Sequence, residues 1–239
     1  MLASAPTRLS IGVRKAGLTL AGFVLSASAP AWGAEAALCR LGKRQSPIDI
    51  RAATPGRLPQ LEFAYQSEPL RVANDGHTLR VRMSRGGYLK LGAELYRLQQ
   101  FHFHTPGGDR LSGEEFPLAA HLLHKGASGQ LLAVVVLFRL GAPHPGLSSL
   151  WAHIPAAVDG DHAVPGQVAN AQAMLPVNKG YFRYTGSLTA SPCTEGVTWL
   201  VMKQPLEVSA EQLQLWKKHF ADNIRSTQPM HGREVLASD

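Results

Sequence analysis

Two histidines separated by one residue carry the strongest chemical signal in the sequence. His102 and His104 lie in the segment 100–104, which reads Gln-Phe-His-Phe-His. Side chains alternate between the two faces of a strand, so a strand here would place both imidazoles on one face and Phe101 and Phe103 on the other. Two neutral imidazoles at such positions can bind one metal ion, and zinc suits this type of ligand. The pattern also fits two ordinary polar strand positions.

A third ligand is expected from a neighbouring strand, and the segment 118–124 offers His121 and His124. These two lie three residues apart and point to opposite faces of a regular strand, so at most one of them can join the site. Three histidines around a zinc ion with an open fourth position are typical of catalytic centres. Zinc there lowers the pKa of bound water to about 7. The residues therefore predict a catalytic zinc centre.

The elements that must position these histidines are mostly strands. Short apolar segments alternate with clusters of Gly, Pro, Asn and Asp, which is typical of a mainly β domain. Strands are predicted at 70–72, 78–83, 87–91, 94–104, 116–124, 131–140, 182–187 and 197–202. Helices are predicted at 209–220, where Ser209 and Gln212 fit a capping box, and at 146–153.

Length and composition favour one folded domain. The chain has 239 residues, of which 45% are hydrophobic and 17% charged, so extensive disorder is excluded. No repeat or linker divides it. The formal net charge is +7, but no block of basic residues or basic-aromatic interleaving indicates a nucleic-acid partner.

The first 34 residues predict a secretory signal peptide. Arg8, Arg14 and Lys15 form a basic start, 16–27 is apolar and uncharged, and small residues place the cleavage site between 31 and 37. The apolar run is shorter than the roughly 20 residues that span a membrane, which disfavours an anchor. We therefore expect an exported protein, periplasmic or extracellular, with a mature domain at 35–239.

Two cysteines follow the predicted signal peptide. Cys39 and Cys193 form an even pair, which in an oxidising compartment suggests one disulfide. Two unrelated buried thiols fit the spacing equally well.

The motifs together resemble the alpha class of carbonic anhydrases. Gln-Phe-His-Phe-His-Thr-Pro at 100–106 is followed, after sixteen residues from His104, by His-Leu-Leu-His at 121–124. Further matching segments lie at 44–50, 74–77, 132–135, 186–189 and 192–199. They keep the order of the family from Cys39 to Arg233, which is nearly the whole predicted mature chain.

The resemblance implies a fold and a ligand set. The fold would be a large, twisted, mostly antiparallel sheet with a few short helices and the zinc at the base of a conical cleft. The ligands would be His102, His104 and His121, with His124 in a structural role. The resemblance also implies the Cys39–Cys193 disulfide.

The resemblance further implies the reaction, in which zinc-bound hydroxide converts carbon dioxide reversibly to bicarbonate. His77 would relay the proton to buffer, Thr189 would orient the nucleophile, and Gln100 and the backbone near Asn223 would hold the ligand histidines. The apolar pocket for carbon dioxide would be formed by Leu123, Val134, Leu188, Val197 and Trp199.

The sequence departs from the family where two glutamates are usual. Gly108 replaces the glutamate that accepts the proton of the threonine hydroxyl, and Ala119 replaces a carboxylate two residues before the third ligand. Asp109 is the nearest acid that could take over the orientation of Thr189. Arg80 stands where the family usually has Asn or Gln. We therefore expect an active carbonic anhydrase of reduced rate, and the alternative is an impaired relative that binds zinc or an anion.

Overall fold

The structure, a computed structural model, describes Met1 and residues 37–239. The predicted signal peptide lies outside the described residues except for Met1. Residues 37–41 form a short helical turn just before the sheet begins. Within the described residues, no helix combines the length and the apolar character needed to cross a membrane.

Strands dominate the described chain, and thirteen of them form one large mixed sheet, in agreement with the mainly β prediction. The strands are β1 (Asp49–Ile50), β2 (Thr54–Pro55), β3 (Leu61–Tyr65), β4 (Glu68–Asn74), β5 (Leu79–Arg82), β6 (Gly87–Leu91), β7 (Glu94–His104), β8 (Arg110–Leu111), β9 (Leu118–Gly126), β10 (Leu131–Leu140), β11 (Asp159–Ala169), β12 (Tyr181–Ser187), β13 (Glu195–Met202), β14 (Leu206–Val208) and β15 (Leu236–Ala237).

The main sheet runs in the order β11-β4-β5-β7-β9-β10-β13-β12-β15-β2. Off this path, β6 pairs with β7, β3 pairs with β6, and β14 pairs with β10. Most neighbours are antiparallel. The parallel pairs are β10 with β13, β10 with β14, and β15 with β2, while β1 and β8 form a separate parallel ribbon. Strands β5, β7, β9, β10 and β13 lie side by side at the centre, and they carry most of the predicted site residues.

Three strand predictions are confirmed to the residue, whereas seven strands were missed. Strands β6, β7 and β10 have the predicted bounds. Five of the missed strands have only two or three residues, and the two longer ones are β3 and β11. The sequence of β11 contains a proline and two glycines, which normally argue against a strand. It forms at the edge of the sheet, where it pairs only with β4 and changes register twice.

Both predicted helices form, with slightly shorter bounds. Helix α1 spans Pro145–Trp151 and helix α2 spans Ala210–Lys217, and a 3-10 turn lies between them at Ala171–Met174. Ser209 and Gln212 make both hydrogen bonds of the predicted capping box. The helices pack together through Trp151 and Trp216, whose ring centroids lie 5.3 Å apart.

The central sheet is buried on both faces. Phe101 and Phe103 on β7 belong to a large apolar cluster that includes both helices. Ala133 and Val135 on β10 belong to a second cluster on the other face, whereas Val134 belongs to the first. Because side chains alternate along each strand, a shift of one residue moves a side chain to the other side of the sheet.

A disulfide joins Cys39 to Cys193, as the resemblance implies, and closes a loop with a sequence separation of 154. It ties the first described residues to the loop between β12 and β13, which also carries Thr189.

Candidate metal centre

The three predicted zinc ligands form one cluster at the centre of the sheet. Strands β7 and β9 are antiparallel neighbours, and their register places His102 opposite His121. The Nε2 atoms of His102 and His104 face each other 3.0 Å apart. One ring nitrogen from each of the three histidines lies within 4.8 Å of the others. The strand pairing therefore assembles the set of imidazoles that zinc favours.

All three imidazoles are held in the neutral form. Burial lowers the pKa of His104 to about 4, against the raising effect of hydrogen bonds to Asn223. Burial and the neighbouring histidines hold the pKa values of His102 and His121 well below the usual value, with a further lowering of the His102 pKa by Arg80. Neutral imidazole is the form that binds metal. The donor set thus fits a zinc ion without the loss of a proton from any ligand.

Two of the ligands are held from behind by hydrogen bonds. The Nδ1 of His102 donates to Gln100 Oε1 at 3.0 Å, and the Nδ1 of His104 donates to the carbonyl oxygen of Asn223 at 3.2 Å. Each bond leaves the Nε2 lone pair directed at the cluster. Gln100 and the backbone of Asn223 therefore lie where the sequence predicts them.

Among the described residues, the third ligand has no such hydrogen bond. The Nε2 of His121 is buried and has no hydrogen-bond partner there. Ala119, two residues earlier, is fully buried and offers no acceptor. Instead, the edge of the His121 ring packs against Trp199, with centroids 5.3 Å apart.

His124 lies outside the cluster. It is fully buried, and its Nε2 shares a hydrogen bond of 2.6 Å with the hydroxyl of Tyr65, whose ring stacks on the imidazole. Its placement agrees with a structural role.

The cluster opens into a cleft of about 410 Å³ with one apolar wall. Four of the five predicted pocket residues line this cleft, namely Leu123, Leu188, Val197 and Trp199.

The prediction for Val134 is wrong. Val134 is fully buried in the apolar cluster on the opposite side of the sheet, and Ala133 lines the cleft in its place. Ala133 lies opposite Leu123 on β9 and opposite Trp199 on β13. The assignment was off by one residue, and in a strand such a shift moves the side chain to the other face.

The mouth of the cleft contains His77. Its backbone N–H donates to Asp75 Oδ1 at 3.0 Å, and its carbonyl accepts from Asn223 Nδ2 at 2.7 Å. The backbone is thus fixed on both sides while the imidazole stays exposed. Gly76 before it has a φ of 83°, a conformation that favours glycine.

Thr189 also lines the cleft. Within the described part of the chain its hydroxyl makes no hydrogen bond. Gly108, where the family has a glutamate, has a φ of 88°, and a Cβ there would lie 2.7 Å from Ile224. The backbone at this position is therefore arranged for glycine.

Asp109 does not take over the orientation of Thr189. Its Oδ1 accepts hydrogen bonds from the backbone N–H of Ile48 and the hydroxyl of Tyr184, both at 3.0 Å, and its Oδ2 has no partner among the described residues. It is fully buried and does not line the cleft. Burial raises the pKa of Asp109 to about 7, although these two hydrogen bonds and Arg233 lower it.

Sequence reasoning missed the side chain of Asn223. Besides its bond to His77, its amide donates to the carbonyl of Phe103 at 3.1 Å and accepts from the N–H of Thr105 at 2.8 Å. It therefore ties the loop after helix α2 to the end of the ligand strand. An Asn in an irregular segment gave no signal that could have predicted these contacts.

Comparison with known proteins agrees with this geometry. The model of the eukaryotic-type carbonic anhydrase family matches residues 27–239. A carbonic anhydrase of Pectobacterium carotovorum is 43% identical over 201 residues, which cover 83% of this chain and 82% of that protein.

Solved structures give the same result. The alpha-carbonic anhydrase of Photobacterium profundum superposes with a TM-score of 0.80 at 34% identity, covering 86% of this chain and 94% of that one. A dioscorin complexed with ascorbate superposes with a TM-score of 0.75 at 32% identity, covering 85% and 89%. On this evidence, the chain belongs to the alpha carbonic anhydrase family.

Proposed function

We propose that this protein catalyses the reversible hydration of carbon dioxide to bicarbonate and a proton, with one zinc ion as cofactor. The observation that carries the proposal is a cluster of three neutral histidines that opens into a cleft with an apolar wall. When bound, zinc lowers the pKa of a coordinated water to about 7 and so supplies a nucleophile near neutral pH.

The ligand set of the proposal is His102, His104 and His121. Gln100 and Asn223 fix the tautomers of the first two, because an Nδ1 that donates a hydrogen bond leaves Nε2 as the ligand atom. Three protein ligands are typical of a catalytic zinc site, and water would reach the bound ion from the cleft that the histidines line.

The apolar wall would hold the substrate. Carbon dioxide has no net charge or dipole, so contact with Leu123, Val197 and Trp199 binds it without requiring a hydrogen bond. Ala133 and Leu188 complete this wall. The same surface excludes water from one side of the reacting atoms.

His77 would move the released proton from the cleft to buffer. Its imidazole is exposed at the mouth, and its backbone is fixed by Asp75 and Asn223. Histidine is the side chain suited to exchange protons with buffer near neutral pH. A His77→Ala variant that kept its full turnover in dilute buffer would refute this role.

Thr189 would orient the reacting water through its hydroxyl. Thr189 lines the same cleft as the three histidines, and Gly108 offers no carboxylate that could fix its hydroxyl. A Thr189→Val variant with unchanged turnover would exclude the role.

An impaired relative that binds zinc or an anion is the second candidate. Gly108 and Ala119 favour it, because neither side chain can accept a hydrogen bond where the family usually has a glutamate. The dioscorin relative, whose solved complex contains ascorbate, gives a precedent for a small-molecule ligand in this fold.

Carbon dioxide hydration by protein of measured zinc content separates the two candidates. The expected result is one zinc per chain and a rate well above that of a His121→Ala control. Stoichiometric zinc with a rate equal to that of the control would refute the enzyme and favour the binding protein.

We also propose that the mature domain begins near residue 35 and is exported to the periplasm or the medium. The Cys39–Cys193 disulfide supports this, because such bonds persist in oxidising compartments. N-terminal sequencing of the mature protein tests it, and an intact Met1 would contradict it.

A further inference from the structure

Arg80 is a cation in the wall of the cleft that the proposed reaction does not use. It lies on β5 between Leu79 and Val81, which are both fully buried. Its side chain therefore points to the other face of the strand, where it lies opposite His102 on β7 and lines the cleft.

One contact fixes this guanidinium at the mouth of the cleft. Its Nη2 donates to Asp75 Oδ2 at 2.5 Å, while the other oxygen of Asp75 accepts the backbone N–H groups of His77 and Thr78. Asp75 is thus held by its own turn and in turn holds Arg80. A guanidinium has five N–H donors in a planar fork, so most of its donors remain available.

The other arginine of the cleft is already occupied. Arg225 donates through Nη1 to Gln45 Oε1 at 2.7 Å and to the carbonyl of Ser46, and through Nη2 to the carbonyl of Cys39. Within residues 37–239, the guanidinium of Arg80 makes no such contacts with main-chain carbonyls, and the side chain is 48% exposed. It is therefore the cleft cation that can contact a ligand.

We propose that Arg80 forms an anion subsite in the cleft wall for small planar oxyanions, the class of bicarbonate and nitrate. The planar fork of a guanidinium matches two oxygens of such an anion. Arg80 and Asp75 form a one-to-one ion pair, so the anion would be held by the N–H donors that Asp75 does not accept rather than by an unbalanced charge.

The subsite distinguishes the two sides of the proposed reaction. Bicarbonate carries a charge that Arg80 can bind, whereas carbon dioxide carries none. If the proposed function holds, Arg80 retains the product of hydration and favours occupation of the cleft by bicarbonate. Binding of the anion itself does not depend on turnover.

Nitrate titration followed by the Nε–H NMR signals of the arginines tests the proposal in the zinc-loaded full chain. We expect the Arg80 signal, identified by its loss in Arg80→Gln, to shift saturably with nitrate. The backbone amide signal of His102 reports nitrate affinity in both the parent and the variant. We expect Arg80→Gln to weaken nitrate binding about two- to fivefold, the range for a partly exposed ion pair.

Arg82→Gln is the matched control, because Arg82 lies on the same strand, carries the same charge and pairs with Asp161 outside the cleft. We expect it to retain the parent affinity, and Arg80→Lys to fall between parent and Arg80→Gln. Equal nitrate affinity in parent and Arg80→Gln, or an equal loss in Arg82→Gln, would overturn the subsite.

The two proposals can fail separately. A chain without carbon dioxide hydration that still binds nitrate at Arg80 refutes the enzyme and keeps the subsite. An active chain whose nitrate affinity is unchanged by substitution of Arg80 refutes the subsite and keeps the enzyme.

Discussion

The two ligands on β7 and the one ligand on β9 differ in what holds the back of the imidazole ring. His102 and His104 each donate a hydrogen bond from Nδ1, to Gln100 and to Asn223. In the part of the chain that the structure describes, the buried Nε2 of His121 has no hydrogen-bond partner, and the ring packs against Trp199. A hydrogen bond fixes the rotation and the tautomer of a ring, whereas packing fixes only its position.

This difference between the two strands follows from the type of residue that lies two positions before the ligand. Gln100 lies two residues before His102, and Ala119 lies two residues before His121, so each pair shares a strand face. On β7 the earlier residue supplies the acceptor, and on β9 it does not. We infer that the β9 ligand is the less firmly oriented part of the centre.

Loss of a ligand should have the largest effect. We expect His121→Ala to lose stoichiometric zinc, because the protein would then supply only two of the four ligands that zinc usually takes.

His124→Ala should keep zinc but lose about 1 to 3 kcal/mol of stability, since the Tyr65 hydroxyl loses its buried partner. Metal analysis after dialysis and denaturant unfolding measure both. The reverse pattern would contradict the ligand choice.

The loop after His104 also contains a buried atom without a hydrogen-bond partner among the described residues, the Oδ2 of Asp109. Burial raises the pKa of this carboxyl to about 7, so the folded state favours the protonated form. Its contribution to stability is complete below pH 4 and is lost as the pH rises through 7.

Asp109→Asn should remove this pH dependence. Relative to the parent, we expect the variant to gain about 3 kcal/mol in unfolding free energy between pH 5 and pH 8. Denaturant unfolding at the two pH values measures the difference. A constant difference would show that Asp109 titrates alike in both states.

Removal of the acceptor on β7 should make His102 resemble His121. We expect Gln100→Ala to weaken zinc binding about 10- to 100-fold, the usual range for a residue that orients a metal histidine. Competition with a chelator measures it. Gln99→Ala is the control, because Gln99 is exposed and its amide donates only to the Arg97 carbonyl. Equal affinity in both variants would show that the bond to Gln100 adds nothing.

Addition of an acceptor on β9 should have the smallest effect. Ala119→Gln repeats the relation of Gln100 to His102, and we expect zinc binding up to about tenfold tighter. A neutral amide avoids the penalty of burying a second carboxylate. Thermal unfolding checks that the buried site accepts the larger side chain. A folded variant with unchanged zinc affinity would break the comparison.

Local patterns in the sequence were sufficient for much of the fold and the metal cluster. The period of two in segment 100–104 placed both histidines on one face, and the capping box at Ser209 and Gln212 marked the start of α2. Such features depend on neighbours in the chain. Strand β11 was missed because its Pro and Gly residues are tolerated only by an edge position that the sequence does not reveal.

The sequence by itself determined the ligand types, their spacing and the places where two carboxylates are missing. Only the tertiary structure decided that Ala133, not Val134, lines the cleft, that Asp109 bonds to Ile48 and Tyr184, and that Arg80 keeps free donors beside Asp75. The physical reason is that register and burial arise between strands distant in the chain. A residue's type shows what it can bind, and its neighbours across the sheet decide what it does bind.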